Sequence, residues 1–351
     1  MLPRIRTTPE DFFVEERLLY PPAGDGAHLY LQIEKRLCNT DDVARSLAQA
    51  LDLPRRDIGY AGRKDRIAVT RQWFSLPRSA AKALDGWQHP GVRIVARQYH
   101  HERLRVGQLQ GNRFRLIVRD GDAATARAAV SRLAELARRG LPNRFGSQRF
   151  GRDGRNAARG AKILRAGRVR GNRRTAWLMV SALQSAVFNR VLELRRAALD
   201  EMLLGDVAYN HATGEVFLVN EAVDAELLRR FELSPTGPMF GTKMKWPRGE
   251  TARIEQEAMK EFELPDPRRL DMPRGLRLFG DRRPLRVQPK AIEVGWSEGV
   301  LHLGFELPAG SYATVLLEEL LPAGFLEGPG ANAGEADPTR HAESPREGAP
   351  A

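Results

Sequence analysis

The sequence predicts a mixed α/β (α+β) protein built of more than one domain. Three observations predict it. At 351 residues the chain can bury about two separate cores. Segments with period-two alternation and segments with helical apolar spacing are interspersed along it. With 42% hydrophobic and 28% charged residues, it has the composition of a soluble globular protein.

The same composition narrows the function. No apolar run reaches the roughly 18 residues that a membrane span needs. The opening Met-Leu-Pro-Arg-Ile-Arg lacks the apolar core of a signal peptide. A single cysteine, Cys38, excludes an internal disulfide and a cysteine-based zinc or iron–sulfur site, and fits a reducing, cytoplasmic setting. The formal net charge of +12 points to a polyanionic partner. No long basic amphipathic helix with an aromatic face speaks for a membrane surface, so nucleic acid is favoured.

In chain order, Pro9 to Glu16 reads as a turn and a short strand, and residues 27–34 as a half-buried strand with Leu29, Leu31 and Ile33 on one face. Thr40 is expected to cap a helix whose buried stripe is Val43, Leu47 and Leu51, with Asp41 and Asp42 in its positive first turn. Cys38, just before it, reads as a small packed residue. From Gly59 to Leu76 the pattern is strand, loop, strand, with Gly59 and Gly62 permitting tight backbone geometry. In that loop Asp65 stands among Arg63, Lys64 and Arg66. Neighbouring cations favour an ionised carboxylate, which serves as nucleophile or base, and the same cations suit a phosphate backbone. Taken alone, these residues fit a solvated basic hairpin better.

Residues 92–106 read as strand material broken at Arg97 to Glu102, and Leu109 to Phe114 leads into a strand at Arg115 to Arg119. Gly111-Asn112 is also a strong turn signal. Ala123 to Arg139 forms an amphipathic helix on Ala128, Leu133 and Leu136, ended by Gly140. Arg144 to Arg174 then carries eleven basic residues against the single acid Asp153, a net +10. Such a run is usually a solvated face, but Phe145, Phe150 and several glycines are interleaved here. Gly151-Arg152-Asp153-Gly154 imitates the Gly-x-x-Gly clamp of KH domains without the flanking pattern that would support it.

A helix is expected over Trp177 to Leu204 on Ala182, Ala186, Val187, Val191 and Leu194, then short strands and a helix near Glu255 to Phe262. Pro247, Pro265, Pro267 and Pro273 mark loops. Alternating strands return at Ala291 to Trp296 and Val300 to Leu307, and Ser311 is placed to cap a helix ending at Leu321. Residues 327–351 hold five acids, two arginines and no aromatic residue, which predicts a disordered tail. There is no Walker motif, no Gly-x-Gly-x-x-Gly after a strand and no His-Glu-x-x-His. Neither metal catalysis nor a nucleotide cofactor is expected.

Over Gly59 to Trp73 the pattern Gly-Tyr-Ala-Gly-x-Lys-Asp-x-x-Ala-Val-Thr-x-Gln-Trp resembles the catalytic motif of the TruD family of tRNA pseudouridine synthases. Asp11 to Glu16, Gly111 to Phe114, Asn143 to Gly151, Ser181 to Asn189 and Leu307 to Thr314 resemble further elements of that family, in the same order. The resemblance implies a pseudouridine synthase fold with a central antiparallel sheet. The catalytic domain would be discontinuous, about 1–143 plus 278–326, and a TRUD-type RNA-binding α/β domain, about 144–277, would be inserted and close a basic cleft over the RNA. It implies a monomer acting on tRNA, without cofactor or metal, at uridine 13.

Asp65 would be the catalytic group. Phe114 would stack on the uracil, while Phe12, Asn112, Lys64 and Tyr312 would contact the substrate. The family commonly has Phe where this chain has Tyr312. Arg6 would pair with Asp65, at a place where a family member has Lys, and Arg144, Arg149, Arg152 and Arg155 would hold the RNA backbone. The alternative is a non-catalytic RNA-binding or RNA-chaperone protein that keeps the fold; Asp65, intact within its motif, weighs against it.

Overall fold

The computed structural model describes residues 2–264, 276–321 and 325–327. Pro265, Pro267, Pro273 and the expected tail beyond Glu327 lie outside the described residues. In chain order the strands and helices begin with β1 (Arg4–Ile5), β2 (Phe12–Leu18), β3 (His28–Arg36), α1 (Thr40–Ala50), β4 (Gly59–Tyr60), β5 (Val69–Pro77), β6 (Val92–His100), β7 (Leu109–Arg119) and α2 (Ala123–Arg139). Next come β8 (Leu141–Pro142), α3 (Asn156–Arg165), α4 (Arg173–Leu194), β9 (Val207–Asn210), β10 (Val216–Leu218), α5 (Ala225–Arg229), β11 (Leu233–Met239), α6 (Gly249–Glu261), β12 (Asp281–Pro284) and β13 (Arg286–Val287). The chain closes with β14 (Lys290–Ser297), β15 (Val300–Pro308), α7 (Ala313–Leu320) and β16 (Leu326–Glu327). Two compact units result, one containing residues up to Ala134 and Pro289–Ala313, the other Glu135–Gln288.

The first unit holds a sheet of order β14-β15-β7-β2-β5-β3-β6, to which β1, β4 and β16 add short pairings. It is a mixed sheet. Neighbours run antiparallel except β2 with β5 and β1 with β16, which are parallel. The β2–β5 exception follows from connectivity, because β3, α1 and β4 intervene and return the chain in the direction of β2. One face is buried along alternating positions: Phe12, Val14 and Glu16 on β2; Leu29, Leu31, Ile33 and Lys35 on β3; Thr70, Gln72, Phe74 and Leu76 on β5. The helix α1 closes part of this core with Val43, Ala44 and Leu47.

Local readings fail in four places. β6 is one unbroken strand through Arg97, since an edge strand with an open face accommodates charged side chains. Gly111-Asn112 is no turn but lies inside β7, where a Cβ on Gly111 would fall 2.3 Å from the Leu307 carbonyl oxygen. Asn39 and Tyr312, not Thr40 and Ser311, occupy the N-cap positions of α1 and α7. α4 ends at Leu194 because Arg195 turns inward to a buried ion pair with Asp206, at 2.8 Å.

In the second unit β10-β9-β11-β12 form a sheet, and Leu183, Val187, Phe188 and Val191 of α4 share a core with Phe240, Met259 and Leu285. Its basic stretch contains a helix that charge density concealed: α3 buries Ala157, Gly160, Ala161 and Leu164 while its arginines stay outside.

Candidate active site

The buried face of the first sheet changes character at one end. Phe12 and Val14 give way to Glu16 on β2, Ile33 gives way to Lys35 on β3, and Phe114 is preceded by Asn112 on β7. Pairing gathers these polar positions, since Glu16 faces Asn112 and Lys35 faces Thr70. Above them runs the loop from Ala61 to Ala68, between β4 and β5, which carries Asp65.

That loop is tied down through its backbone. Gln72 Nε2 donates to the Gly62 carbonyl at 3.2 Å, and the Lys64 amide donates to Thr40 Oγ1 at 3.0 Å. Thr40 in turn donates to Gln72 Oε1 at 2.8 Å. Lys35, only 1% exposed, aims its ammonium at three carbonyls: Cys38 at 2.7 Å, Asp65 at 2.8 Å and Lys64 at 3.4 Å. Burial pushes its pKa down to about 8. The loop is thus fixed on both sides of Asp65 while its carboxylate stays 34% exposed. An acid that reacts with a substrate requires this combination of fixed backbone and open side chain.

Arg6 lies beside it, its Nη2 3.4 Å from Asp65 Oδ2. The guanidinium stacks 4.1 Å from the centre of the Phe12 ring, and the side chain is 7% exposed. Its backbone sits in the left-handed region at φ +52°, a strained conformation for arginine that the surrounding fold must enforce. Phe12 meets Phe114 edge to face with centroids 6.4 Å apart, and Phe114 stacks on Phe305 at 5.2 Å. Both Phe12 and Phe114 are buried, at 2% and 5% exposure.

Arg6 Nε, Thr7 Oγ1, Asn112 Oδ1 and Ser311 Oγ are buried without a hydrogen-bond partner among the described residues. Each such atom costs about 1–3 kcal/mol unless something else satisfies it. Ser311 and half-buried Tyr312 follow β15, whose Leu307 pairs with Asn112. Asp65, Arg6, Phe12, Asn112, Phe114 and Tyr312 therefore all belong to one unit.

Lys64 turns its ammonium inward to Glu16 Oε1 at 2.8 Å, with side chains 5% and 0% exposed. Glu16 also accepts the Trp73 amide at 2.9 Å, so the pair fastens β2 to β5. Arg63 is held by Asp41 at 2.8 Å, and Arg66 reaches the Leu37 carbonyl at 3.4 Å. Of the arginines expected on the RNA backbone, Arg149 is turned to Ser181 and Ser185 of α4, whereas Arg152 and Arg155 are exposed and Arg144 is half-buried.

Lys35, Glu16 and Gln72 are not singled out as site residues from sequence, and Thr40 reads there only as a helix cap. A signal existed: each of Lys35, Glu16 and Gln72 occupies the next alternating position on the apolar face of its strand. Among the described residues no three His, Cys, Asp or Glu side chains gather to hold a metal, and no helix is long and apolar enough to cross a membrane.

Comparison with known proteins identifies relatives of the chain. The family model described as tRNA pseudouridine synthase D (TruD) matches residues 2–171 and 170–320. The chain is 39% identical to tRNA pseudouridine synthase D of Geobacter sulfurreducens, covering 90% of this chain and 93% of that protein. It is 42% identical to the protein of the same name from Thermus thermophilus, over 92% and 90% of the two chains. The fold is similar to the crystal structure of a Methanosarcina mazei protein described as TruD, with TM-score 0.71 and 22% identity over 90% of this chain and 93% of that one.

Proposed function

This chain belongs to the TruD family of tRNA pseudouridine synthases, and on that premise we propose that it isomerises uridine 13 of tRNA with Asp65 as the catalytic group. The observation that supports the assignment is the Asp65 loop, hydrogen-bonded through its backbone and open at its carboxylate. The reaction breaks the C1′–N1 bond of uridine, turns the uracil and joins C1′ to C5. N1 ends with a proton and C5 gives one up, so neither redox change nor cofactor is needed.

An ionised carboxylate at the sugar–base junction serves as nucleophile or base in that sequence. Arg6 orients it and offsets its charge through the 3.4 Å contact. The base must leave its stack, at a cost of a few kcal/mol. Phe12 and Phe114 supply an apolar wall for it, and the unpaired Asn112 Oδ1 and Ser311 Oγ suit the polar edge of a uracil. Tyr312 closes the β15 side.

The protein is expected to release tritium from tRNA labelled at C5 of its uridines, in an amount matching one uridine per molecule. A transcript with cytidine at position 13 should release none. Release from that transcript would overturn the position, and tRNA binding with no release from either would favour a non-catalytic RNA-binding protein.

Tyr312 gives a further expectation. Tyr312→Phe keeps the ring and should hold kcat/KM within about threefold, whereas Tyr312→Ala removes it and should cost at least about tenfold, the scale of a lost aromatic packing contact. Equal damage from both would show that the hydroxyl carries the role.

A further inference from the structure

The basic stretch of the second unit divides into arginines that the protein uses itself and arginines that it does not. Arg149 is bonded to α4, Arg159 pairs with Asp153 at 2.7 Å, and Arg165 pairs with Glu263. Arg168, Arg170, Arg173 and Arg174 are exposed and meet no carboxylate among the described residues. No acid occurs anywhere between Asp153 and Glu193. Other exposed arginines without a carboxylate among the described residues, such as Arg105 and Arg253, are scattered, whereas these four fall within seven consecutive residues.

Trp177 follows that group on the same helix as Arg173 and Arg174. It is 49% exposed on the first turns of α4, off the stripe of Ala176, Val180, Leu183 and Val187 that the helix buries. Arg173 and Arg174 precede it by four and three residues, the spacing that makes side chains neighbours on a helix surface. Neither guanidinium lies over the indole, whose ring makes no aromatic or cation–π contact among the described residues. A lone exposed apolar residue needs no explanation. An open indole beside unpaired arginines, in a stretch of sequence without acids, is the arrangement that holds an unpaired base by its face and its phosphates by charge.

We propose that Trp177, with Arg168, Arg170, Arg173 and Arg174, forms a binding site for an unpaired nucleotide of the tRNA, the indole stacking on its base and the arginines holding the flanking phosphates. This rests on the reading of the protein as a tRNA pseudouridine synthase, but the site is separate in sequence and in compact unit from Asp65. It also moves the backbone contact from Arg149, which the fold occupies, to the stretch that leads into the first turn of α4.

Trp177→Ala should weaken tRNA binding by roughly tenfold, the scale of one lost base stack. Trp177→Phe should recover most of that loss. Because stacking releases no counterions, the decrement in Trp177→Ala should be equal at low and high salt. Replacing Arg173 and Arg174 by Ala should instead lower the slope of log K against log salt by about 0.7–0.9 for each phosphate contact removed. With saturating tRNA, kcat of all these variants should match that of the parent. Unchanged affinity in Trp177→Ala, or a loss that Phe does not recover, would overturn the site. Wild-type protein that binds tRNA without isomerising it would overturn the function while leaving the Trp177 measurements to be judged on their own.

Discussion

Asp65→Asn is expected to reduce pseudouridine formation by at least about 10³-fold, the scale of a lost catalytic base or nucleophile, while tRNA binding is retained or slightly strengthened. The substitution keeps shape and volume and removes only the charge. The three carbonyl contacts of Lys35 and the Thr40 bond to the Lys64 amide involve backbone or neighbouring atoms, so they survive the change. The amide oxygen of Asn still offers Arg6 an acceptor at the place of the present 3.4 Å contact. With Asp65 one-third exposed, the loss of that ion pair should cost stability at most on the order of 1 kcal/mol. Tritium release from C5-labelled tRNA and filter retention, measured on one preparation, separate the two effects. Appreciable turnover by folded Asp65→Asn would sink the assignment of Asp65, whatever the affinity.

The way the sequence reveals this site is uneven, for physical reasons. Asp65 was legible because a motif of mixed chemistry surrounds it, and the strand–loop–strand reading of Gly59 to Leu76 holds, β4 pairing with β5 through Gly59 with Ser75 and Tyr60 with Phe74. Strands on the buried face were legible from alternation. What held the loop was not, because Lys35 and Gln72, set side by side by the pairing of β3 with β5, and Thr40 at the start of α1 act on backbone atoms distant in sequence. Thr40 shows the limit well. A threonine before two acids reads as a cap, yet its hydroxyl is spent on Gln72 and on the Lys64 amide. Lys64 shows the converse. Local charge placed it with Arg63 and Arg66, and only the register of β2 beside β7 reveals Glu16 as its buried partner.

Lys35→Met should lower kcat by about 10²-fold with KM for tRNA little changed, since misplacing a catalytic group by about 1 Å costs that much. Methionine keeps an unbranched side chain, one atom shorter, but leaves the carbonyls of Cys38, Lys64 and Asp65 without their donor. Each carbonyl left unpaired weakens the hold on Asp65, not on the RNA. A loss of global stability would also accompany the change, so pH supplies the readout that separates positioning from folding. The groups that bear on the ammonium are the Cys38 thiol, the Asp65 and Asp42 carboxylates and the Lys64 ammonium, and burial outweighs them all to bring its pKa from 10.5 to about 8. Burial also pushes the Cys38 thiol up from its ordinary value. Between about 8 and 10.5 the unfolded chain keeps the Lys35 proton and the folded chain has lost it. The unfolded state then binds more protons, so the Lys35 contribution to global stability rises with pH. Activity should move the opposite way, because a neutral amine has only two hydrogens for three carbonyls and no charge to strengthen them. The parent enzyme should therefore lose kcat as pH rises through about 8 while it remains folded, and Lys35→Met should show a low kcat without that alkaline decline. An alkaline decline of kcat in Lys35→Met equal to that of the parent would exclude Lys35 as its source.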